Sequence, residues 1–386
     1  MHVVGLIFEA NPFHNGHKHL INSAKAIFPD SPFICITSTS FTMRGEISII
    51  NKFDKIKILQ DQNIDIILEL PICYTLQSAD YFAATTVSIL NQIGVTDIVI
   101  GCETTDIKQF EKFYDLITSN EFSQILKDYS SRQTSHKKIF TEVLKNMGIS
   151  ISEIEEFNKP NFTLGFQYYR VIRDQNLNIK LHLIKRTNDY YQKENTNSNI
   201  ASASYIRETF QKNEDITKYI PYKPHFIDLT TAENNLLRII SFQTLQFPFI
   251  NPFKEINGNK EGIDNYIMKN GDFTHTYSNL LDSLKNKKYS VNRIRRLLIS
   301  LLIQLKTVDF SKINYLRILG INEIGLSYLN ALDKTTKKMI FSSPNELNKI
   351  PESLHYEIIA SKLYGILTNN PNIYLNEYKL PIRKKE

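Results

Sequence analysis

What this 386-residue chain lacks narrows the possibilities first. Its three cysteines, Cys35, Cys73 and Cys102, form no spaced ligand set, and each lies within or beside an apolar run, as reduced core thiols do. No metal centre or disulfide framework is expected. No apolar run approaches the length of a membrane span and no basic leader precedes the first apolar residues, so a cytoplasmic protein with no membrane contact is expected. A Gly-rich loop ending in Lys-Ser/Thr is missing, which argues against phosphoryl transfer on that architecture. Neither an internal repeat nor a low-complexity tract occurs. A net charge of +6 is small for this length and does not by itself point to a nucleic-acid partner. The hydrophobic content of 42% is ordinary for a globular protein, and the length suffices for two or three domains.

What is present begins with alternation. Val3 to Phe8 is short, apolar and β-branched and reads as a buried strand; a helix starts near Gly16 with Leu20, Ile21, Ala24 and Ile27 on one face. Pro29-Asp30-Ser31-Pro32 breaks the chain before a second strand, Phe33 to Thr37. The polar loop Ser38 to Glu46 leads to a helix around 48–60, then a strand from Ile64 to Leu70, a helix around 78–92 and a strand from Asp97 to Gly101. Strands apolar on both faces and separated by helices predict a parallel sheet covered on both sides, a doubly wound α/β unit. Ligands of such sheets bind beyond the carboxyl ends of the strands, where the loops holding His14 and Arg44 and the segment after Gly101 converge. Residues 105–147 read as helical, 163–174 as a helix and Ile179 to Ile184 as a strand, followed by a polar loop over 186–198. Pro221 and Pro224 mark a boundary, giving a first domain over 1–215 and a mainly α-helical second domain over 216–386.

Glu9-Ala10-Asn11-Pro12-Phe13-His14-Asn15-Gly16-His17 joins the first strand to the first helix. The helix N-terminus has unpaired N–H groups and a partial positive charge, so His14 and His17 lie beside an anion-binding end, with Gly16 letting a phosphate approach the backbone. Arg44 with Gly45, and Ser202, Ser204 and Arg207 at another helix start, offer further groups to a polyphosphate. Ser202 also reads as a plain N-cap. Gly101 would let a base lie close to the backbone, and Asn161 or Arg186 would reach sugar or phosphates; equally, Gly101 ends a strand, Asn161 caps a helix and Arg186 is a loop charge. Glu69 is as good a structural acceptor as a reacting group. Lys285, Lys287, Lys288, Arg293, Arg295 and Arg296 put six cations and no acid into twelve residues, which suits RNA phosphates or, alternatively, the solvated face of a helix buried through Ile294, Leu297 and Leu301.

The strand, turn and helix around His14-Asn15-Gly16-His17 resemble the signature of the HIGH superfamily of nucleotidyltransferases and class I aminoacyl-tRNA synthetases. Together with Arg44-Gly45-Glu46, Leu68-Glu69-Leu70-Pro71, Gln77-Ser78-Ala79, Gly101-Cys102-Glu103, Lys159 to Gly165 and Ile200 to Arg207, the chain resembles the bacterial tRNA(Met) cytidine acetate ligase family. The likeness runs through about the first 210 residues and more weakly through Tyr289 to Ile294 and Arg317 to Gly320. It implies a Rossmann-like nucleotidyltransferase domain that uses ATP, with Mg2+ on its phosphates, to join acetate through an acetyl-adenylate to the wobble cytidine of elongator tRNA(Met). By position it implies nucleotide contacts from Ile7, Phe8, Glu9, Asn11, Pro12, Phe13, His14, Gly16, His17 and Leu20, and from Gly101, Asn161 and Arg186. His14, His17 and Arg44 would be catalytic. Ala10 stands where the family has an aromatic and Met43 where it has a polar residue, which alters pocket shape and removes no charge. Rival readings are an adenylyltransferase acting on a small phosphorylated cofactor precursor, and a non-catalytic nucleotide- or RNA-binding protein.

Overall fold

The computed structural model describes residues 1–130, 136–186, 199–306, 313 and 315–384; the polar stretch 187–198 lies outside them. The chain runs β1 (Val4–Phe8), α1 (Asn15–Ile27), β2 (Phe33–Thr37), α2 (Lys52–Asp61), β3 (Ile66–Glu69), the single turn α3 (Ile72–Thr75), α4 (Ala79–Gln92) and β4 (Asp97–Cys102). Helices α5 (Ile107–Thr118), α6 (Asn120–Ser130), α7 (His136–Asn146), α8 (Ile151–Phe157) and α9 (Pro160–Asp174) precede β5 (Lys180–Lys185) and α10 (Ala203–Gln211). Helices α11 (Leu229–Thr244), α12 (Ile263–Asn270), α13 (Tyr277–Ser283) and α14 (Val291–Leu302) follow. The chain then forms β6 (Leu316–Ile321), α15 (Glu323–Ala331), α16 (Lys334–Met339), β7 (Ile340–Phe341), α17 (Glu352–Leu367) and β8 (Ile382–Arg383).

The strand order is β5-β4-β1-β2-β3-β6-β7, with β8 on β6. The pairs β5·β4, β4·β1, β1·β2 and β2·β3 are parallel, and β6 is antiparallel to β3. Chain order reverses between β1 and β4, which makes their seam the topological switch point. That seam is also open. β1 matches β2 along all five residues, from Val4↔Phe33 to Phe8↔Thr37, but meets β4 only at Val4↔Asp97 and Gly5↔Ile98. Beyond those pairs the strands part, and Ile7, Phe8, Ile100 and Gly101 face a cleft.

Local sequence accounts for these boundaries. Asn51 caps α2 by accepting from the N–H groups of Phe53 and Asp54, Pro160 opens α9 where its missing N–H costs nothing, and Ser290 caps α14. In α1, Leu20, Ile21 and Ala24 are buried as the spacing predicts, whereas Ile27 is exposed at the last turn. All three cysteines are buried and free. No helix among the described residues is long and apolar enough to cross a membrane.

Sequence periodicity predicts no strand beyond residue 224, yet β6, β7 and β8 lie there. β7 and β8 are two residues each, and β6 is defined by its contact with β3 rather than by flanking turn signals. Pro344–Glu346 in this mainly helical region forms only a short 3-10 turn. The largest hydrophobic core joins the sheet to Ile294, Leu298, Leu319 and Tyr364, so the later helices pack on the same sheet as the first.

A buried ionic cluster fixes that packing. Lys52 Nζ donates to Glu69 (2.6 Å), Glu357 (3.2 Å) and Glu377 (2.8 Å), and Arg317 Nη1 lies 2.8 Å from both Glu69 and Glu377. Glu69 is thus a structural acceptor. Removing one partner leaves buried charge uncompensated, at a typical cost of about 3–5 kcal/mol. We expect Lys52→Met to lower the unfolding free energy by about that amount, measured by urea denaturation; a loss under about 1 kcal/mol would show that the cluster does not hold these segments together.

Candidate active site

At the open seam, β1 ends in the loop that carries both histidines. His14 is the N-cap of α1, and its Nδ1 accepts from the Gly16 N–H at 3.0 Å; His17 Nδ1 accepts from the His14 N–H at 3.2 Å. This is a reciprocal capping box built from imidazoles. Because each Nδ1 is an acceptor, each neutral ring carries its proton on Nε2. Burial, then the Arg186 charge, pushes the His14 pKa down to about 3. Burial, then His14, Arg186 and Lys55, holds His17 well below the usual range. Both rings are therefore neutral N–H donors until an anion arrives. A Cβ on Gly16 would lie 2.8 Å from His14 Cε1, so the glycine makes room for the imidazole itself, a nearer reason than the approach of a phosphate. Phe13 stacks on His17 at 5.3 Å and Phe8 meets it edge-on at 5.1 Å, fixing the ring from behind.

The cleft has a volume of about 540 Å³. Ile7, Phe8, Glu9, Asn11, His14, Gly16, His17, Leu20, Arg44, Gly101, Asn161, Arg186, Ser202, Ser204 and Arg207 all line it. Pro12 and Phe13 are buried behind the loop and are not on its wall. Several of these groups also hold the wall together. Asn11 Oδ1 accepts from the Ile49 N–H at 2.8 Å, and Arg207 donates to Asn11 O at 2.6 Å and to Glu46 at 3.1 Å. Ser202 Oγ accepts from the Tyr205 N–H at 3.2 Å, the N-cap alternative, with the start of α10 on the cleft. Asn161 lies inside α9, whose cap is Lys159; it donates to Glu103 and accepts from Arg186 Nη1 at 3.3 Å. The Gly101 Cβ position has no neighbour closer than Arg186 Cγ at 3.6 Å, so protein packing alone does not demand glycine there.

With a paired-histidine loop at a helix start on an open parallel seam, comparison with known proteins becomes informative. The family model described as HIGH Nucleotidyl Transferase matches residues 1–379. The tRNA(Met) cytidine acetate ligase of Oceanobacillus iheyensis is 31% identical over 384 residues, covering 93% of this chain and 95% of that protein. The chain belongs to the tRNA(Met) cytidine acetate ligase family of HIGH nucleotidyltransferases. The Thermosipho africanus protein of the same name is 30% identical over 367 residues, covering 91% of this chain and 86% of its own. The crystal structure of Thermotoga maritima TmcAL bound with alpha-thio ATP shares the fold over the whole of both chains, with a TM-score of 0.83 at 24% identity.

In this member of the HIGH family the basic run divides. Lys285 pairs with Asp282, Lys288 Nζ donates to Glu261 O, and Arg293 pairs with Glu261, all at the outer surface, where Lys287 is also exposed. Arg295 lies 3.5 Å from Glu46, and Arg296 donates to Met43 O at 3.3 Å and lines the cleft. Helix α14 presses on the Arg44 loop so closely that a Cβ on Gly45, at φ +73°, would meet Arg296 N at 2.7 Å. Sequence motifs do not single out Tyr168 and Asn292, which line the cleft, or Lys55, whose buried ammonium donates to the carbonyls of Glu9, Ser38 and Thr39 at 2.8–3.2 Å. Burial pushes Lys55 down to about 8. Its place in the α2 pattern carries no sign of this, because a lysine at a helical position normally reads as solvated.

In the unliganded protein, 15N NMR of the two imidazoles is expected to show protonated Nε2 and unprotonated Nδ1, with no titration between pH 5 and 8. An imidazole that titrates near its ordinary pKa of about 6.5 would contradict the buried, neutral pair.

Proposed function

We propose that this chain uses ATP to activate acetate as acetyl-adenylate and transfers the acetyl group to N4 of the wobble cytidine of elongator tRNA(Met). The observation that carries this reading is membership of the ligase family combined with two histidines that line an open seam beside two helix N-termini. An acetate oxygen attacks the α-phosphorus, the bond from that phosphorus to the bridging oxygen breaks, and diphosphate leaves. His14, His17 and Arg44 stabilise the charge that shifts onto the phosphate oxygens, which is electrostatic catalysis without a protein nucleophile. The cytidine N4 then attacks the acyl carbon, the acyl–oxygen bond breaks, AMP leaves and N4 loses a proton. A wobble base is already single-stranded, so splaying it into the cleft avoids the cost of opening a pair. Gly101, Asn161 and Arg186 hold the nucleotide in this reading, and the starts of α1 and α10 hold its phosphates. Mg2+ bound through the triphosphate would supply neutralising charge to its oxygens, beside the groups offered by His14, His17 and Arg44. The setting is cytoplasmic, where ATP and tRNA are available.

His14→Ala and His17→Ala are each expected to cut acetate-dependent AMP formation by about 100-fold or more with the circular dichroism unchanged. A folded variant at the wild-type rate would overturn the catalytic assignment. Reversing Lys285, Lys287 and Lys288 should weaken tRNA binding and reduce its salt slope by about one for each phosphate no longer neutralised. An unchanged slope places the RNA face elsewhere.

A further inference from the structure

The cleft extends well past the residues assigned to ATP. Gly101 lies on β4, whereas Ala79 and Phe82 belong to the start of α4, which packs against α9. The part of its wall not assigned to ATP includes Met43, Ala79, Phe82, Asn292 and Arg296. It combines apolar surface with one guanidinium delivered by α14.

That guanidinium differs from its neighbours. Arg207 and Arg295 are both engaged by Glu46, and Arg293 by Glu261. Arg296 is partly buried and has no carboxylate within ion-pair distance among the described residues; its one hydrogen bond, from Nη1, goes to Met43 O. Asp80 attracts it only at longer range, Arg293 repels it, and burial, the largest influence, lowers its pKa to about 10. A guanidinium removed from water without a counter-charge is costly, and its fork of N–H groups matches a carboxylate.

We propose that Arg296 holds the carboxylate of the acid substrate, with its methyl group against Met43, Ala79 and Phe82. This rests on the ligase reading above. Arg296 would bind one carboxylate oxygen and leave the other to form the bond to the α-phosphorus as diphosphate departs. The side chain is contributed by the later helical region, so the acid subsite is complete only when α14 is docked on the Arg44 loop.

The test is steady-state kinetics of Arg296→Gln and Arg296→Lys with ATP, acetate and tRNA varied in turn. Arg296→Gln should raise the KM for acetate at least about tenfold while the KM values for ATP and tRNA stay within about twofold; Arg296→Lys should lie between it and the wild type. An unchanged KM for acetate overturns the assignment. So does an increase confined to tRNA, which makes Arg296 a nucleic-acid phosphate contact, or one confined to ATP, which makes it a triphosphate contact. A direct reading accompanies the kinetics: line broadening of [1-13C]acetate by the wild-type protein, abolished in Arg296→Gln and partly kept in the folded Arg296→Lys. Acetate bound through Arg296 without AMP formation would retain this site and overturn the ligase reading. AMP formation at an unchanged acetate KM in Arg296→Gln would do the reverse.

Discussion

The structure depends on the buried meeting of two cations and three carboxylates at the carboxyl edge of β3. Lys52 and Glu69 come from the first part of the sheet, and Arg317, Glu357 and Glu377 from the end of the chain. Glu357 also accepts from the Ile72 N–H at 2.9 Å and from Thr39 Oγ1 at 2.5 Å, so the cluster reaches both loops beyond β2 and β3. Such clusters add little net stability, because desolvation offsets the attraction. Their geometry is demanding, however, since every charge must meet its partner. Burial and the neighbouring carboxylates raise the Glu357 pKa against the pull of Lys52. The cluster ties β6 and α17 to the sheet, and helices α11 and α14 pack in the same core.

That docking gives the cleft its second wall. The open seam between β1 and β4 needs only the first part of the fold, because it follows from where the two strands stop pairing. The β2–β3 side is closed by α14, which sets Arg296 on the wall and Arg295 against Glu46, and Glu46 in turn holds Arg207. One acidic side chain therefore connects the Arg44 loop, α10 and α14. Arginines at this cleft are divided between tying its walls together and facing the cavity.

The histidine pair illustrates how one set of atoms serves fold and chemistry. Each Nδ1 completes the N-cap of α1, and that hydrogen bond selects the tautomer whose Nε2–H is available to a ligand. Phe8 and Phe13 pack on His17, and burial with the nearby cationic groups holds both imidazoles below their usual pKa range, so the rings are neutral. Gly16 is required by the ring of His14, a constraint internal to the motif.

The order of amino acids alone is enough to specify the doubly wound sheet, the His14–His17 loop and most of the cleft wall. Strands buried on both faces appear as apolar runs and helices carry their caps, so local pattern suffices for β1 to β5 and for most helices up to α10, though not for the short α3 and α8. The place of β6, the structural role of Glu69, the burial of Lys55 and the division of the 285–296 run into an outer surface and a cleft wall emerge only when the chain is folded. Two of these are set by a partner far along the chain: Arg317 for Glu69 and Glu46 for Arg295. A charged side chain reads as solvated until the group that neutralises or excludes it is known, and that group is not a neighbour in sequence.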